Sequence, residues 1–298
     1  MKYFAPTTVD EAVGLLSSEA GAKVFAGATD VIPQMRSGRP EPDALIDLKK
    51  IQQLVSVSST ATTWTIGAAT PTSRLTGNAE LSKELPGLVE AAGLIGSDQV
   101  QNRSSLGGNL CNASPAADSV PAMVVNGARA VIVGPGGATR TVAVQDVPTG
   151  PGRTCLQPGE ILVAIEVDRP PARTGDAYLR LIPRTEMDIA VVGVGARVTL
   201  DDAGKVTAAT IALGAVAPTV VRVPAAEAAL IGNAIDDATL AAVAAAATAA
   251  CNPIDDKRGT IAYRQHVAGV LARRAVQLAA DRATGVTQNG KHGQNGAH

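Results

Sequence analysis

Two short runs hold most of the recognition chemistry this sequence could offer. The first is Ala26-Gly27-Ala28-Thr29-Asp30, and the second is Ser104-Ser105-Leu106-Gly107-Gly108-Asn109. Glycine in such turns lets successive backbone N–H groups point into one concavity and lets a phosphate approach without a Cβ in the way. The hydroxyls of Ser104 and Ser105 and the amide of Asn109 add donors. Two such turns facing each other could grip a pyrophosphate from both sides. Neither run matches a P-loop or a GxGxxG dinucleotide fingerprint, so on the glycines alone a pair of structural turns is the plain alternative.

Other chemistry has little to work with. Of three histidines, His292 and His298 lie in the tail TQNGKHGQNGAH, which lacks apolar periodicity and reads as disordered. His266 sits beside Arg264 and Gln265, where a solvated helix face is the default. Cys111, Cys155 and Cys251 are far apart in sequence with no CxxC, which argues against a disulfide framework, a zinc site or an iron–sulfur cluster on this chain. No close carboxylate pair announces a general acid and base. Redox work would need an organic cofactor. Gly193-Val-Gly-Ala-Arg-Val198 lacks a third glycine and reads as packed strand, Trp64 as core, and Gly134-Pro-Gly-Gly137 as a tight turn.

The composition allows a buried core. Of 298 residues, 46% are hydrophobic and 18% charged. Aromatics make up 2%, so Ala, Val, Leu and Ile must build the interior, and stacking platforms for single-stranded nucleic acid are not expected. A formal net charge of −1 gives no electrostatic reason for a nucleic-acid or anionic-membrane partner. The amino terminus lacks a signal-peptide core, and the Ala-rich run 239–251 is too short to span a bilayer. The expectation is a soluble, cytoplasmic protein.

The elements that would carry the two runs follow from periodicity. Thr8-Val-Asp-Glu11 has capping-box spacing ahead of a helix that Gly21 can close. A strand over 22–25 leads into the first run. A short helix then starts at Val31, capped by Thr29 or Asp30 and stopped at Gly38. Strands fit 44–48 and a hairpin 54–70, a helix 80–92, and another 117–126, with the second run as a loop between them. Strands follow at 128–133, 138–144 and 160–167. The Pro- and Arg-rich stretch 167–175 is the best boundary. Beyond it, 189–200 and 205–216 form a hairpin, and helices fit 223–232, 236–251 and 260–283.

Taken together, AGATDVIPQMRSG followed by LIDL, then QVQNRSSLGGNLCNASPAADSVPAM, resembles the FAD-binding subunits of the molybdenum hydroxylases, the family of the carbon monoxide dehydrogenase medium subunit and the xanthine dehydrogenase flavin domain. The likeness continues through LQPGEILVAIEV, AYLRLIPRTEMDIAVVGVGARV and DDKRGTIAYRQHVAGVLARRAV, leaving out only the last dozen or so residues. It implies an α+β chain: a vanillyl-alcohol-oxidase/PCMH-type FAD-binding domain of two α/β subdomains, 1–57 and 58–170, a small C-terminal α+β domain, 176–284, and a disordered tail, 285–298. It also implies non-covalent FAD, with Val24 and Phe25 leading into a first clasp of Ala26, Gly27, Ala28, Thr29 and Asp30. Ser104, Ser105, Gly107, Gly108 and Asn109 would form the second, with Ser114, Ala117 and Asp118 beyond it. Asp118 would serve a ribose hydroxyl or a backbone amide, since phosphate would repel it. Ile95 and Gly96 would line the flavin cleft, Ile161 and Leu162 would pack on or near the isoalloxazine, and Arg180 would lie close to the ring.

The function implied is electron transfer within an oxidoreductase, with no catalytic residue on this chain beyond the flavin. A molybdenum cofactor would sit on a large partner subunit and [2Fe–2S] clusters on a small one, as a dimer of heterotrimers, passing electrons through FAD to a quinone, NAD, oxygen or protein acceptor. The alternatives are a self-contained FAD-dependent oxidoreductase and a non-enzymatic nucleotide-binding module. Some positions depart from the family pattern. Ala28 replaces a glycine, so the backbone there should avoid a conformation only Gly tolerates. Gln101 replaces an arginine that Arg103 could stand in for, Ile95 replaces an aromatic, and Arg180 replaces a lysine.

Overall fold

The computed structural model describes residues 1–285. The tail expected to be disordered lies outside them, apart from Gly285. The first unit runs β1 (Lys2–Phe4), α1 (Val9–Ser18), β2 (Ala22–Phe25), α2 (Val31–Arg36) and β3 (Ala44–Asp47). Its sheet is parallel in the order β1-β3-β2, so the central strand Ala-Leu-Ile-Asp is buried throughout. Thr8 caps α1 by accepting from the Glu11 N–H at 3.2 Å. The Glu11 carboxylate reaches back to the Thr7 N–H at 2.9 Å, one residue earlier than a capping box requires. Val9, Ala12 and Val13 on α1 pack with Ile46, Ile51 and Leu54.

The second unit opens with the hairpin β4 (Val57–Ser59) and β5 (Thr63–Gly67). It continues through α3 (Thr72–Thr76), α4 (Ala79–Glu84), α5 (Pro86–Gly93), α6 (Asp98–Gln101), α7 (Leu106–Asn112) and α8 (Ser119–Val125), then β6 (Arg129–Val133), β7 (Thr139–Ala143), β8 (Pro148–Gly150), β9 (Arg153–Thr154) and β10 (Ile161–Asp168). The main sheet is antiparallel in the order β4-β5-β10-β6-β7. The single helix expected over 80–92 is broken in two. Pro86 bars the preceding residue from helical geometry, and Leu85 takes φ −130°, ψ 57°. The second glycine run, expected as loop, holds the start of α7.

The third unit is the antiparallel sheet of β11 (Thr174–Leu181), β12 (Val192–Leu200), β13 (Val206–Gly214) and β14 (Val221–Arg222), covered by α9 (Pro224–Leu230), α10 (Asp237–Ala249) and α11 (Ile261–Ala283). Small side chains let the helices approach closely: Ala268, Ala272, Ala275 and Ala279 on α11 are fully buried, and a Cβ at Gly175 on β11 would stand 2.2 Å from the Ala279 carbonyl oxygen. The third unit grips the second through Asp176, whose buried carboxylate accepts from the Gly87 and Leu88 N–H groups at 3.0 and 3.1 Å, at the amino end of α5, and from Asn126 Nδ2 at 2.7 Å. Among the described residues no helix is long and apolar enough to cross a membrane.

Candidate functional site

The parallel sheet ends where the first glycine run begins. As the chain leaves β2, Ala28 takes φ +61°, in the left-handed region. This overturns the expectation that Ala28 would avoid such a conformation, and an L-residue there costs about 1–2 kcal/mol. Gly27 meets a different demand. A Cβ on it would lie 2.2 Å from the Arg103 carbonyl oxygen and 3.0 Å from the Ser104 nitrogen. The two runs are thus in backbone contact across 76 residues of sequence, tied also by Arg103 Nε donating to the Gly27 carbonyl at 3.4 Å. The carbonyls of Ala28 and Asp30 accept from Ile32 and Gln34 as α2 begins. The N–H groups of Gly27, Ala28, Thr29, Asp30 and Val31 donate to no acceptor among the described residues. Successive unpaired N–H groups around a left-handed residue make an anion-binding nest. Asp30 caps nothing with its side chain, and burial pushes its carboxyl up.

The second jaw is the amino end of α7. Ser105 is its N-cap, in extended geometry, with Oγ accepting from the Gly108 N–H at 3.1 Å. The hydroxyl proton stays free to donate. Gly107 donates to the Ala68 carbonyl at 3.1 Å, and a Cβ on it would sit 2.5 Å from that oxygen. Gly108 faces the first jaw, where an added Cβ would lie 3.9 Å from Ala26 Cβ. Asn109 Oδ1 accepts from Ser119 Oγ at 2.7 Å, and its Nδ2 has no acceptor among the described residues. Behind the jaws Gln34 Nε2 donates to Asn112 Oδ1 at 2.8 Å, joining α2 to α7. The glycines at 27 and 107 let the two runs close on neighbouring backbone, and the unpaired N–H groups of the first run, with Ser105 Oγ and Asn109 Nδ2, are donors that fit the diphosphate of a dinucleotide.

Beyond the jaws lies a buried charged cluster. Asp118 accepts from the Tyr178 hydroxyl at 2.8 Å and from Arg180 Nη1 at 2.7 Å. Asp118, expected to serve a ribose hydroxyl or a backbone amide, takes these two side-chain partners within the chain. Burial pushes the Asp118 carboxyl up against the opposing pull of Arg180 and Tyr178. The Arg180 side chain is 7% exposed, so the pair is held out of water. Burial and the Asp118 charge together push the Tyr178 phenol well up. Tyr178 and Arg180 lie two apart on β11 and so share one face, a signal that could have found the tyrosine from sequence.

Other expected residues fall elsewhere. The Ser104 hydroxyl is buried and pairs with Thr72 Oγ1 at 2.9 Å in the interior. Ile161 and Leu162 are 1% and 4% exposed on opposite faces of β10, one in the α1-side core and the other in the core of the second unit, so neither side chain is open to a ring. Ala117 is core, and the Ser114 hydroxyl accepts from the Ala116 N–H at 3.3 Å within its own turn. Ile95 and Gly96 make the half-buried turn between α5 and α6, with Gly96 at φ +66°. Val24 is half-buried on β2, and the Phe25 ring lies 6.4 Å from that of Tyr3. Gln101 turns inward to the Gly93 carbonyl at 2.6 Å, away from the jaws. Cys111 and Cys155 flank the same core, where burial pushes the Cys111 thiol up to about 12.

An FAD-type clasp between a parallel α/β unit and an antiparallel one, followed by a small α+β unit, defines a class of flavoprotein. Residues 1–170 match the FAD-binding domain in molybdopterin dehydrogenase, and residues 177–279 match the CO dehydrogenase flavoprotein C-terminal domain. The chain belongs to this family of FAD-binding subunits of molybdenum hydroxylases. It is 36% identical over 282 residues to the carbon monoxide dehydrogenase medium chain of Afipia carboxidovorans, covering 94% of this chain and 97% of the relative. To the xanthine dehydrogenase FAD-binding subunit of Escherichia coli O157:H7 it is 29% identical, covering 96% and 98%. The carbon monoxide dehydrogenase structure from Hydrogenophaga pseudoflava superposes with a TM-score of 0.90 at 36% identity, covering 95% of this chain and 98% of that one. The chain is an oxidoreductase subunit with an FAD-binding domain.

Proposed function

We propose that this chain is the electron-transfer subunit of a cytoplasmic molybdenum hydroxylase, built on three units spanning 1–57, 58–170 and 176–284. The observation that carries the reading is the run of five unpaired N–H groups at Gly27–Val31 facing the capped amino end of α7. Gly27, Ala28, Thr29 and Asp30 would hold one side of the FAD diphosphate, and Ser105, Gly108 and Asn109 the other. Asp118 orients Arg180 so that a guanidinium stands ready for negative charge on a reduced ring. Bound FAD supplies the redox chemistry that joins [2Fe–2S] clusters of a small subunit to an external acceptor. Substrate would be oxidised at molybdenum in a large subunit. The relatives' designations as medium chain and FAD-binding subunit support a place in a larger assembly, here a dimer of heterotrimers.

Affinity capture of the chain from its host, followed by flavin and metal analysis, tests this. Stoichiometric FAD with molybdenum and iron on co-purifying subunits is the expected result. A chain that takes up no FAD refutes the reading, and steady turnover of a small organic substrate by the isolated chain replaces it with a self-contained oxidoreductase.

A further inference from the structure

The Arg180 guanidinium is buried without being spent. Its side chain is 7% exposed, and its one acceptor among the described residues is Asp118 Oδ2, reached by Nη1 at 2.7 Å. A guanidinium carries five donors, so all but one are left without an acceptor on the chain. Among the described residues no fully buried side-chain nitrogen lacks a partner, so Nε and Nη2 of Arg180 both meet solvent. A side chain otherwise packed in protein thus keeps one edge of donors open. Asp118 adjoins Ser119, whose hydroxyl donates to Asn109 Oδ1 at 2.7 Å, so the cluster is joined to the second jaw.

Tyr178 accounts for the open edge. Its hydroxyl donates to Asp118 Oδ1 at 2.8 Å, which leaves Oδ2 alone for Arg180. A guanidinium and a carboxylate pair through two parallel bonds when both oxygens are available, and here the phenol occupies one of them. The opposite strand makes room for that phenol. Gly193 on β12 pairs with Arg180 on β11, and a Cβ on it would stand 2.4 Å from the Tyr178 hydroxyl oxygen and 3.2 Å from Cζ. Only glycine at 193 lets the hydroxyl sit where it reaches Asp118. Burial, reinforced by the Asp118 charge, pushes the phenol well above its ordinary value, so it stays a donor.

We propose that Tyr178 is a positioning residue for the flavin: by occupying Asp118 Oδ1 it prevents a bidentate Arg180–Asp118 pair and keeps Arg180 Nε and Nη2 free for negative charge on the reduced ring. This rests on the proposed place of Arg180 beside that ring. Without the phenol, both Asp118 oxygens turn to the guanidinium fork and consume the donors meant for the ring.

Spectroelectrochemistry of the full chain loaded with FAD reads this. Tyr178→Phe keeps the aromatic ring and removes the hydroxyl. It should retain FAD and lose about tenfold in preference for reduced over oxidised flavin, a fall of about 30 mV for a two-electron couple. Arg180→Gln should lower the potential at least as far, and adding Tyr178→Phe to it should lower it no further. Gly193→Ala should lower the potential while Tyr178 is present and change it little in Tyr178→Phe, because its closest clash is with the hydroxyl. A packing role alone would move the unfolding midpoint and not the potential. Equal potentials in wild type and Tyr178→Phe, both holding FAD, overturn the positioning role and leave the FAD reading intact. A further fall when Tyr178→Phe is added to Arg180→Gln also overturns it, because the phenol then acts without Arg180. A chain that takes up no FAD overturns both readings.

Discussion

Gly27→Ala is the smallest change that tests the clasp. A methyl at position 27 would be placed 2.2 Å from the Arg103 carbonyl oxygen, 2.6 Å from its carbon and 3.0 Å from the Ser104 nitrogen. All three are backbone atoms, so no side chain can rotate away, and the first contact is about 1 Å short of what two such atoms tolerate. The jaws must part by roughly that amount. Overpacking of this kind costs about 1–3 kcal/mol, and a 1 Å displacement of a positioned site costs about a hundredfold. That hundredfold in FAD affinity equals about 2.8 kcal/mol. The assay is FAD affinity by fluorescence quenching together with thermal unfolding of flavin-free protein. Gly108→Ala is the control: its Cβ would meet only Ser105 Oγ at 3.0 Å and Ala26 Cβ at 3.9 Å, so the unliganded fold should lose little stability. Wild-type FAD affinity and midpoint in Gly27→Ala would show that the two runs are not in the backbone contact described, and the clasp would fall with it.

Two further outcomes test the electrostatics. Asp118→Asn strips the counter-charge from Arg180, whose side chain is 7% exposed. Breaking such a pair costs about 3–5 kcal/mol, to be read by urea unfolding, and a change below about 0.5 kcal/mol would refute a buried pair. Glu160, held by Arg140 at 2.7 Å, is lowered from 4.5 to about 2, chiefly by that hydrogen bond. Its contribution is present above the usual glutamate range and lost as pH falls towards about 2. Glu160→Gln should flatten that part of the acid-unfolding curve, and an unchanged curve would remove the pair from the account.

Short-range rules carried much of this molecule. The helix after Thr8, the strand before Ala26, the hairpin through Trp64 and the long carboxy-terminal helix were legible because period, caps and turn residues act within a few positions. The ordered pair of glycine runs pointed to FAD through its resemblance to a known family, since the turns by themselves left a structural role open. The break at Pro86 is equally local, since proline bars the residue before it from helical geometry. Contacts made across the fold were not legible. No spacing tells that Gly27 needs its missing Cβ for the Arg103 backbone rather than for a left-handed turn, which Ala28 takes instead. Nor does spacing show Ser104 turned inward to Thr72, Ile161 and Leu162 divided between two cores, or Asp118 closed upon Tyr178 and Arg180. Burial and charge pairing depend on which distant segments meet. Sequence alone singled out two glycine turns and, through a family resemblance, FAD, and only the tertiary structure decided which groups in and around those turns are spent on the protein, because pairing depends on which distant segments meet.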